Sequence, residues 1–367
     1  MAAIVLQCSM CGATQSAELF FGCGECGSLL HLVSPPNRPV PNPSRPGIWS
    51  GLGTLGVDDL TPVSLDEGRT PLLCAVDGRE AHYIKFEGSN PTGSWKDRFH
   101  AVNATMARQL GYRGLSVVST GNSALAAAAY ANRSRLQLRV RLATRAPKTI
   151  VDAIRDFGFE VEFEDGEALD LRRDLIENGL FPATMSLPHD GVANPFGLEG
   201  YKTIAYEIFE QLGRVPDWVA VPVGCGDGLF GIAKGFDELM RWGVVTSVPR
   251  MLGVQSDQAA PLVAALAGGR TTTTRTEVGH TIALSIAVDS VGNHAIAAVR
   301  QTGGSAVAVS DSQISDALAV LRREGIAAEP SSAAAWAGVS SALSQSIISA
   351  TDTVVAVVTS NAFRWAS

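Results

Sequence analysis

The sequence predicts an α/β protein built on open, mostly parallel sheets in two domains, with a small metal-binding ribbon at its start. Three observations carry this expectation. Short runs of high β propensity alternate with segments of helical periodicity, the pattern of parallel strands joined by crossover helices. The chain of 367 residues, 46% hydrophobic with 37 glycines, is long enough for one large or two moderate domains with a sizeable core. Two Cys-x-x-Cys knuckles, Cys8-Ser9-Met10-Cys11 and Cys23-Gly24-Glu25-Cys26, precede all of this.

The knuckles come first in the chain. Gly12, Gly24 and Gly27 supply the tight turns that let both sulfurs of a knuckle face one ion. Cys8, Cys11, Cys23 and Cys26 therefore read as a closed, four-thiolate structural zinc site. Disulfides are the competing reading, disfavoured in a reducing cytoplasm. His31 reads as a neighbour rather than a ligand, and Cys74 and Cys225 lie apart. From Ser34 to Ser50 six prolines make an extended connector. Strands are then expected at His82–Phe86, Leu115–Ser119, Leu138–Ala143, Glu160–Phe163, Trp218–Val223, Arg250–Gln255, Ala306–Val309 and Thr353–Thr359. Helices are expected at Arg98–Leu110, Ser123–Arg133, Lys148–Phe157, Ala168–Asn178, Tyr201–Leu212, Leu229–Arg241, Asp311–Glu324 and Ser332–Ser344. The net charge of −7 argues against a general nucleic-acid binder. No apolar run reaches membrane-spanning length, and Met1 to Gln7 has no basic segment before its apolar run, so a cytoplasmic protein is expected.

Chemistry-bearing residues gather where strands end, the place at which open parallel sheets bind ligands. After His82–Phe86 a loop rich in Gly, Asn and Pro delivers Lys96 to the start of a helix, with Thr92 or Ser94 as candidate caps. Burial and a helix N-terminus disfavour an ammonium ion, which suits a lysine that must attack an aldehyde as a free amine. The alternative is a surface lysine in a first turn. Ser119-Thr120-Gly121-Asn122-Ser123 follows the next strand, and there Asn122 could simply cap a helix. Gly224-Cys225-Gly226-Asp227-Gly228 joins a strand to a helix and reads as a phosphate cradle of backbone N–H groups. A dinucleotide site is the rival. Its third glycine is replaced by Leu229, and Gln255 stands where the ribose-binding acid belongs. Thr359, at the end of the last strand, is either a strand-terminating hydroxyl or a neutral partner for a ring nitrogen.

The wording of these loops resembles the threonine synthases, members of the fold-type-II pyridoxal-phosphate enzymes with a tryptophan synthase β-like fold. Asn90-Pro91-Thr92-Gly93-Ser94-Trp95-Lys96-Asp97-Arg98 is similar to their lysine motif, and Glu67-Gly68-Arg69-Thr70-Pro71-Leu72 to the segment leading into it. Gly197-Leu198-Glu199-Gly200-Tyr201-Lys202-Thr203 and Glu329-Pro330-Ser331-Ser332-Ala333-Ala334 resemble two of their helix starts. The resemblance implies that Lys96 holds pyridoxal phosphate as a Schiff base and that Asn122 lies against the ring hydroxyl. It also implies that Gly224, Cys225, Gly226, Asp227 and Gly228 hold the phosphate, and that Thr359 faces the pyridine nitrogen. Ser119, Thr120, Ser123 and Asn194 are the implied substrate-binding residues. The implied division is a ribbon at 1–33, a linker at 34–58, a large cofactor-binding domain at 59–99 with 213–367, and a small α/β domain at 100–212. A homodimer is implied as well, and many of these enzymes carry a zinc ribbon.

Departures from the family pattern bear on the substrate. Phe99 stands where the family has glycine, and Ser360 and Ala362 replace glycines after Thr359. The segment Glu164–Asp170 is acidic where basic partners of a substrate phosphate are expected, and Ala287 to Asn293 is altered. Arg145 and Lys148 are candidates to compensate. The expected activity is a lyase or synthase acting on an activated amino acid, as in conversion of O-phosphohomoserine to threonine. The alternatives are a threonine or serine dehydratase, a diaminopropionate ammonia-lyase, a cysteate-synthase-like replacement enzyme, or a non-catalytic amino-acid-binding relative.

Overall fold

The computed structural model describes residues 4–17, 22–53, 55, 60–75, 81–144, 146–163, 178–184 and 194–363. The acidic segment Glu164–Asp170, Arg145 and, apart from Asn178, the expected helix Ala168–Asn178 lie outside them. In chain order the strands are β1 (Val5–Cys8), β2 (Thr14–Ser16), β3 (Leu30–Leu32), β4 (Leu72–Cys74), β5 (His82–Phe86), β6 (Gly114–Ser119), β7 (Gln137–Leu142), β8 (Val161–Phe163), β9 (Leu180–Pro182), β10 (Trp218–Pro222), β11 (Arg250–Ser256), β12 (Ser305–Val309) and β13 (Val354–Val358). They belong to two compact units. The first is Met1–Arg69 with Asn90–Thr203; the second is Thr70–Ser89 with Ile204–Phe363.

The first unit carries the ribbon, an antiparallel sheet in the order β2-β1-β3 that buries Leu6, Leu30 and Leu32. Its second sheet is wholly parallel, in the order β8-β7-β6-β9. From β6 the chain steps outward to β7 and β8, then returns to β9 on the other side. The end of β6 is therefore a switch point, where loops on adjacent strands part and leave room for a ligand. The helix Asn122–Ser134 follows that strand end. Its buried Ala124, Ala126, Ala127, Ala128, Ala129 and Ala131 let neighbouring elements approach closely. The lysine-bearing helix Lys96–Gln109 is buried from Asp97 to Ala107. Gly200 touches it from outside: a Cβ there would lie 2.1 Å from the Arg98 carbonyl oxygen. Any side chain at Gly200 would push the start of the lysine helix out of place.

The second unit is a six-stranded sheet in the order β12-β11-β10-β13-β5-β4, parallel except for the edge strand β4. Its central strands β10 and β13 are buried along their whole length. That is why they read as unbroken apolar runs rather than as alternation. Here too the chain order reverses, between β10 and β13, so the glycine loop and Thr359 leave one edge of the sheet side by side. Among the elements not expected are β4, β9, the helices Pro261–Ala267 and Asn293–Gln301, and the short helix Trp49–Leu52, which begins inside the expected connector Ser34–Ser50. Each spans nine residues or fewer, less than the window of about 11–18 residues over which helical periodicity is read. No helix among the described residues is long and apolar enough to cross a membrane.

Candidate active site

In the first unit Lys96 is the first residue of its helix, and its N–H donates to Ser94 Oγ at 3.3 Å. Thr92 acts in the opposite sense to a cap. Its N–H and hydroxyl both donate to the Asp97 carboxylate, at 3.2 and 2.8 Å, and so tie the loop to the first helical turn. Lys96 Nζ lies 5.8, 5.6 and 5.5 Å from the ring centres of Trp95, Phe99 and Tyr201. Phe99 is accommodated because residue 197 is glycine: a Cβ on Gly197 would meet its ring at 2.4 Å. The ring is buried and stacks on Tyr201 at 5.5 Å.

Three titratable groups, Asp97 and His100 on this helix and Glu67 near Asp97, are displaced from their ordinary behaviour. Burial pushes the Asp97 carboxyl up to about 7 against the opposing pull of the Thr92 bonds, and the Glu67 charge adds to the rise. Glu67 is also raised by burial, although Leu65 N–H, Tyr130 and Ser64 all donate to it. His100 is lowered to about 3, by burial first and by Lys96 second. The Asp97 shift has a consequence for stability. A folded-state value above the unfolded one means the native chain holds the proton longer, so this contribution is present below about pH 4 and is lost as pH rises to about 7. His100 gives the opposite slope between about 3 and 6.5. Asp97→Asn is therefore expected to remove one slope and leave the other. In urea titrations its stability relative to wild type should climb by on the order of 1–3 kcal/mol from pH 4 to pH 8. A constant difference across that range would show that Asp97 does not titrate there.

The neighbouring loop brings Ser119 and Ser123 to the end of β6. Ser119 Oγ accepts the Gly121 N–H at 2.9 Å, and Thr120 is half-buried beside it. Asn122 is the first residue of the helix that follows; the cap position belongs to Gly121, so Asn122 is not a cap. Ser123 Oγ lies 2.7 Å from His100 Nε2. His100 was missed in the sequence, although its spacing of four from Lys96 puts it on the same helix face. Asn194 is fully buried with its carboxamide committed to the backbone. It donates to Pro182 O at 2.8 Å and accepts from Phe196 N–H at 2.9 Å and Gly197 N–H at 3.3 Å. Lys148 is an exposed lysine paired with Asp152.

In the second unit the glycine loop leaves β10 and runs into the helix Asp227–Arg241. Gly226 has φ +103°, and a Cβ on it would lie 2.4 Å from Ala295 Cβ. At Gly224 a Cβ would lie 3.3 Å from Ser285 O. The helix has no side-chain cap, and its first N–H groups have no carbonyl one turn behind them to bond. N–H groups at a helix start, on a loop in which three of five residues are glycine, fit a phosphate ester. Asp227 begins that helix, with Oδ1 3.2 Å from the buried His294 Nε2. Thr359 Oγ1 lies 2.8 Å from Ser332 Oγ, which also meets Ser360 Oγ at 2.7 Å. Asn361 donates to Gly88 O at 2.7 Å and pins the strand end where the expected glycines are missing.

In the ribbon the four cysteine sulfurs lie within 4.8 Å of one another and none is in a disulfide. Neighbouring sulfurs are 3.5 Å (Cys8–Cys26) and 3.6 Å (Cys11–Cys23) apart. Four thiolates about 2.3 Å from one ion at tetrahedral angles would be about 3.8 Å apart, so the cluster could bind a metal. Backbone N–H groups of Met10 and Cys11 point at Cys8 Sγ, each at 3.4 Å, and pull toward the thiolate, while burial, the larger effect, pushes the thiol up to about 12.

Known proteins resemble this chain over most of its length. The family described as pyridoxal-phosphate dependent enzyme matches residues 63–360. A threonine synthase of Methanosarcina acetivorans is 33% identical, covering 98% of this chain and 92% of its own length. One of Mycobacterium tuberculosis is 36% identical over 84% of this chain and 85% of its own. Among solved structures, threonine deaminase isoform 2 from Solanum lycopersicum matches with a TM-score of 0.66 at 26% identity, over 80% of this chain and 83% of that one. Maize serine racemase matches at 0.67 and 21% identity, over 80% and 88%, a likeness of fold alone.

Proposed function

From the premise that this chain belongs to the pyridoxal-phosphate dependent enzyme family, we propose that it converts O-phosphohomoserine to threonine. The chain is a fold-type-II enzyme and a threonine-synthase-like lyase that uses pyridoxal phosphate. When bound, the cofactor supplies an electron sink for charge that develops on the substrate's α carbon.

Among the chain's lysines, the one in the motif Asn90–Arg98 carries the assignment of roles. The chain has five, at 85, 96, 148, 202 and 234. Lys85 meets Glu207 at 2.7 Å, Lys234 meets Glu238 at 2.9 Å, Lys202 meets Glu199 and Lys148 meets Asp152. Lys96 is the first residue of its helix, with the rings of Trp95, Phe99 and Tyr201 around its Nζ, and it stands in the stretch Asn90–Arg98 that is similar to the lysine motif of the threonine synthases. It would hold the cofactor's aldehyde and, once released, take the α proton and return protons to later positions. The N–H groups of Gly224 to Gly228 would hold the phosphate, and Thr359 would face the ring nitrogen as a neutral partner. Asn122 would lie at the ring hydroxyl, with Ser119, Thr120 and Ser123 at the substrate carboxylate.

A second reading is elimination on an amino acid without a phosphate. It is favoured by Lys148, an exposed lysine already paired with Asp152. Purified protein with pyridoxal phosphate should be offered O-phosphohomoserine, O-phosphoserine, threonine, serine and diaminopropionate. Release of threonine and inorganic phosphate from the first is expected. Turnover of another substrate alone would replace the proposed reaction by the second reading, and visible cofactor colour without any turnover would favour a binding protein.

We further infer a cytoplasmic homodimer with one zinc ion in the ribbon. Light scattering should return twice the chain mass. Elemental analysis should return one zinc per chain, and stripping it with a strong chelator should lower the melting temperature, because the ion binds the folded ribbon far better than the unfolded one. Metal-free protein with an unchanged melting temperature would remove the zinc assignment.

A further inference from the structure

His100 is completely buried, one turn beyond Lys96, where an apolar side chain would fill the space without the cost of desolvating an imidazole. Its ring stands edge-on to Phe99 at 5.2 Å, and its Nε2 lies 2.7 Å from Ser123 Oγ. Its Nδ1 is buried with no hydrogen-bond partner among the described residues. The ring is neutral, because burial and the nearby Lys96 both oppose a second proton. A neutral imidazole carries one N–H, and the two possible positions for it are not equivalent. On Nδ1 it would be an orphaned buried donor, the rarer and costlier defect. On Nε2 it donates to Ser123 Oγ and leaves only a lone pair unmatched. In that arrangement the hydroxyl of Ser123 accepts from His100 and keeps its own proton to give. The contact with His100 is the one recorded for that hydroxyl among the described residues. Ser123 is the second residue of its helix, at the positive end of the helix dipole.

We propose that His100 is a positioning residue for the substrate: it fixes the Ser123 hydroxyl as a hydrogen-bond donor aimed at the carboxylate of the bound amino acid. Ser123 then adds a fixed proton to the hydroxyls of Ser119 and Thr120 in the loop, which favours a carboxylate over a neutral amide. This inference rests on the pyridoxal-phosphate reading, and the experiment separates the two. L-Alanine, which has no leaving group, is titrated against cofactor-loaded protein, and its affinity is read from the change in the visible band.

His100→Met fills the volume without a donor. It should retain the band and the melting temperature of wild type yet bind L-alanine about tenfold more weakly or worse, the usual cost of a lost bond to a charged group. Ser123→Ala should lose about as much, and the double variant no more than either alone. His100→Gln carries an amide N–H on a similar reach and should recover affinity to within about threefold of wild type. With a reacting amino acid the loss should fall on KM rather than kcat. Unchanged affinity in either Ser123→Ala or His100→Met, equal losses in His100→Met and His100→Gln, or additive losses would overturn the proposal with the cofactor reading intact. Wild-type protein with no visible band would overturn both.

Discussion

Lys96→Ala is expected to lose the visible cofactor band and at least ~10³-fold in turnover, since the same amine would both hold the cofactor and move protons. The cofactor can still bind through its phosphate, so affinity should fall less than activity. The decisive measurement is covalent. Borohydride reduction of the cofactor-loaded wild type followed by peptide mass mapping should place the label on the peptide containing Lys96. The four other lysines provide the internal control, because each is engaged by a carboxylate. A label on Lys85, Lys202 or Lys234 would mean that one of those ion pairs opens on loading, and would remove Lys96 from the mechanism. An arginine in place of Lys96 keeps the charge beside the three rings but cannot attack an aldehyde. Equal inactivity of the Arg and Ala variants would show that chemistry, rather than charge, was lost.

The range of each signal decides how much of this was legible in the sequence. β6, β10 and β13 are short apolar runs closed by Gly or Ser, so both the strands and their loops could be read locally. The helix starts at Lys96, Asn122 and Asp227 fell within two residues of expectation for the same reason. What could not be read is settled by side chains distant in sequence. Asn194 looks like a polar site residue in the sequence, but its carboxamide is taken up by the backbone of Pro182, Phe196 and Gly197. Phe99 looks like an obstruction until Gly197 is seen beneath it. Lys85, at the centre of a strand, is tolerable only because Thr70 O, Glu207 and Gln211 all meet its ammonium group within 2.9 Å. His100 was overlooked because a lone histidine in a helix of mixed composition has no meaning until Ser123 is placed against it.

Gly226→Ala is expected to produce the second large effect, a loss of cofactor affinity of about tenfold to a hundredfold together with reduced stability. Two penalties combine. At φ +103° an alanine carries about 1–2 kcal/mol of backbone strain. Its Cβ would also lie 2.4 Å from Ala295 Cβ, far inside the ~3.5–4 Å at which carbon atoms rest. Either the loop tilts or the helix Asn293–Gln301 retreats, and both misdirect the N–H groups of the cradle. Gly303, at the far end of that same helix, separates strain from collision. It too has positive φ, +63°, but a Cβ there meets nothing within 4 Å. Gly303→Ala should therefore cost only about 1 kcal/mol of stability and leave cofactor affinity at the wild-type value. Adding Ala295→Gly to Gly226→Ala opens room for the new methyl group without relieving φ. The double variant should recover part of the affinity and little of the backbone strain. Equilibrium titration of cofactor into the stripped protein, alongside urea unfolding, reads both quantities. If Gly226→Ala binds the cofactor as tightly as wild type, the phosphate does not depend on this loop's backbone, and the cradle must be sought elsewhere in the chain.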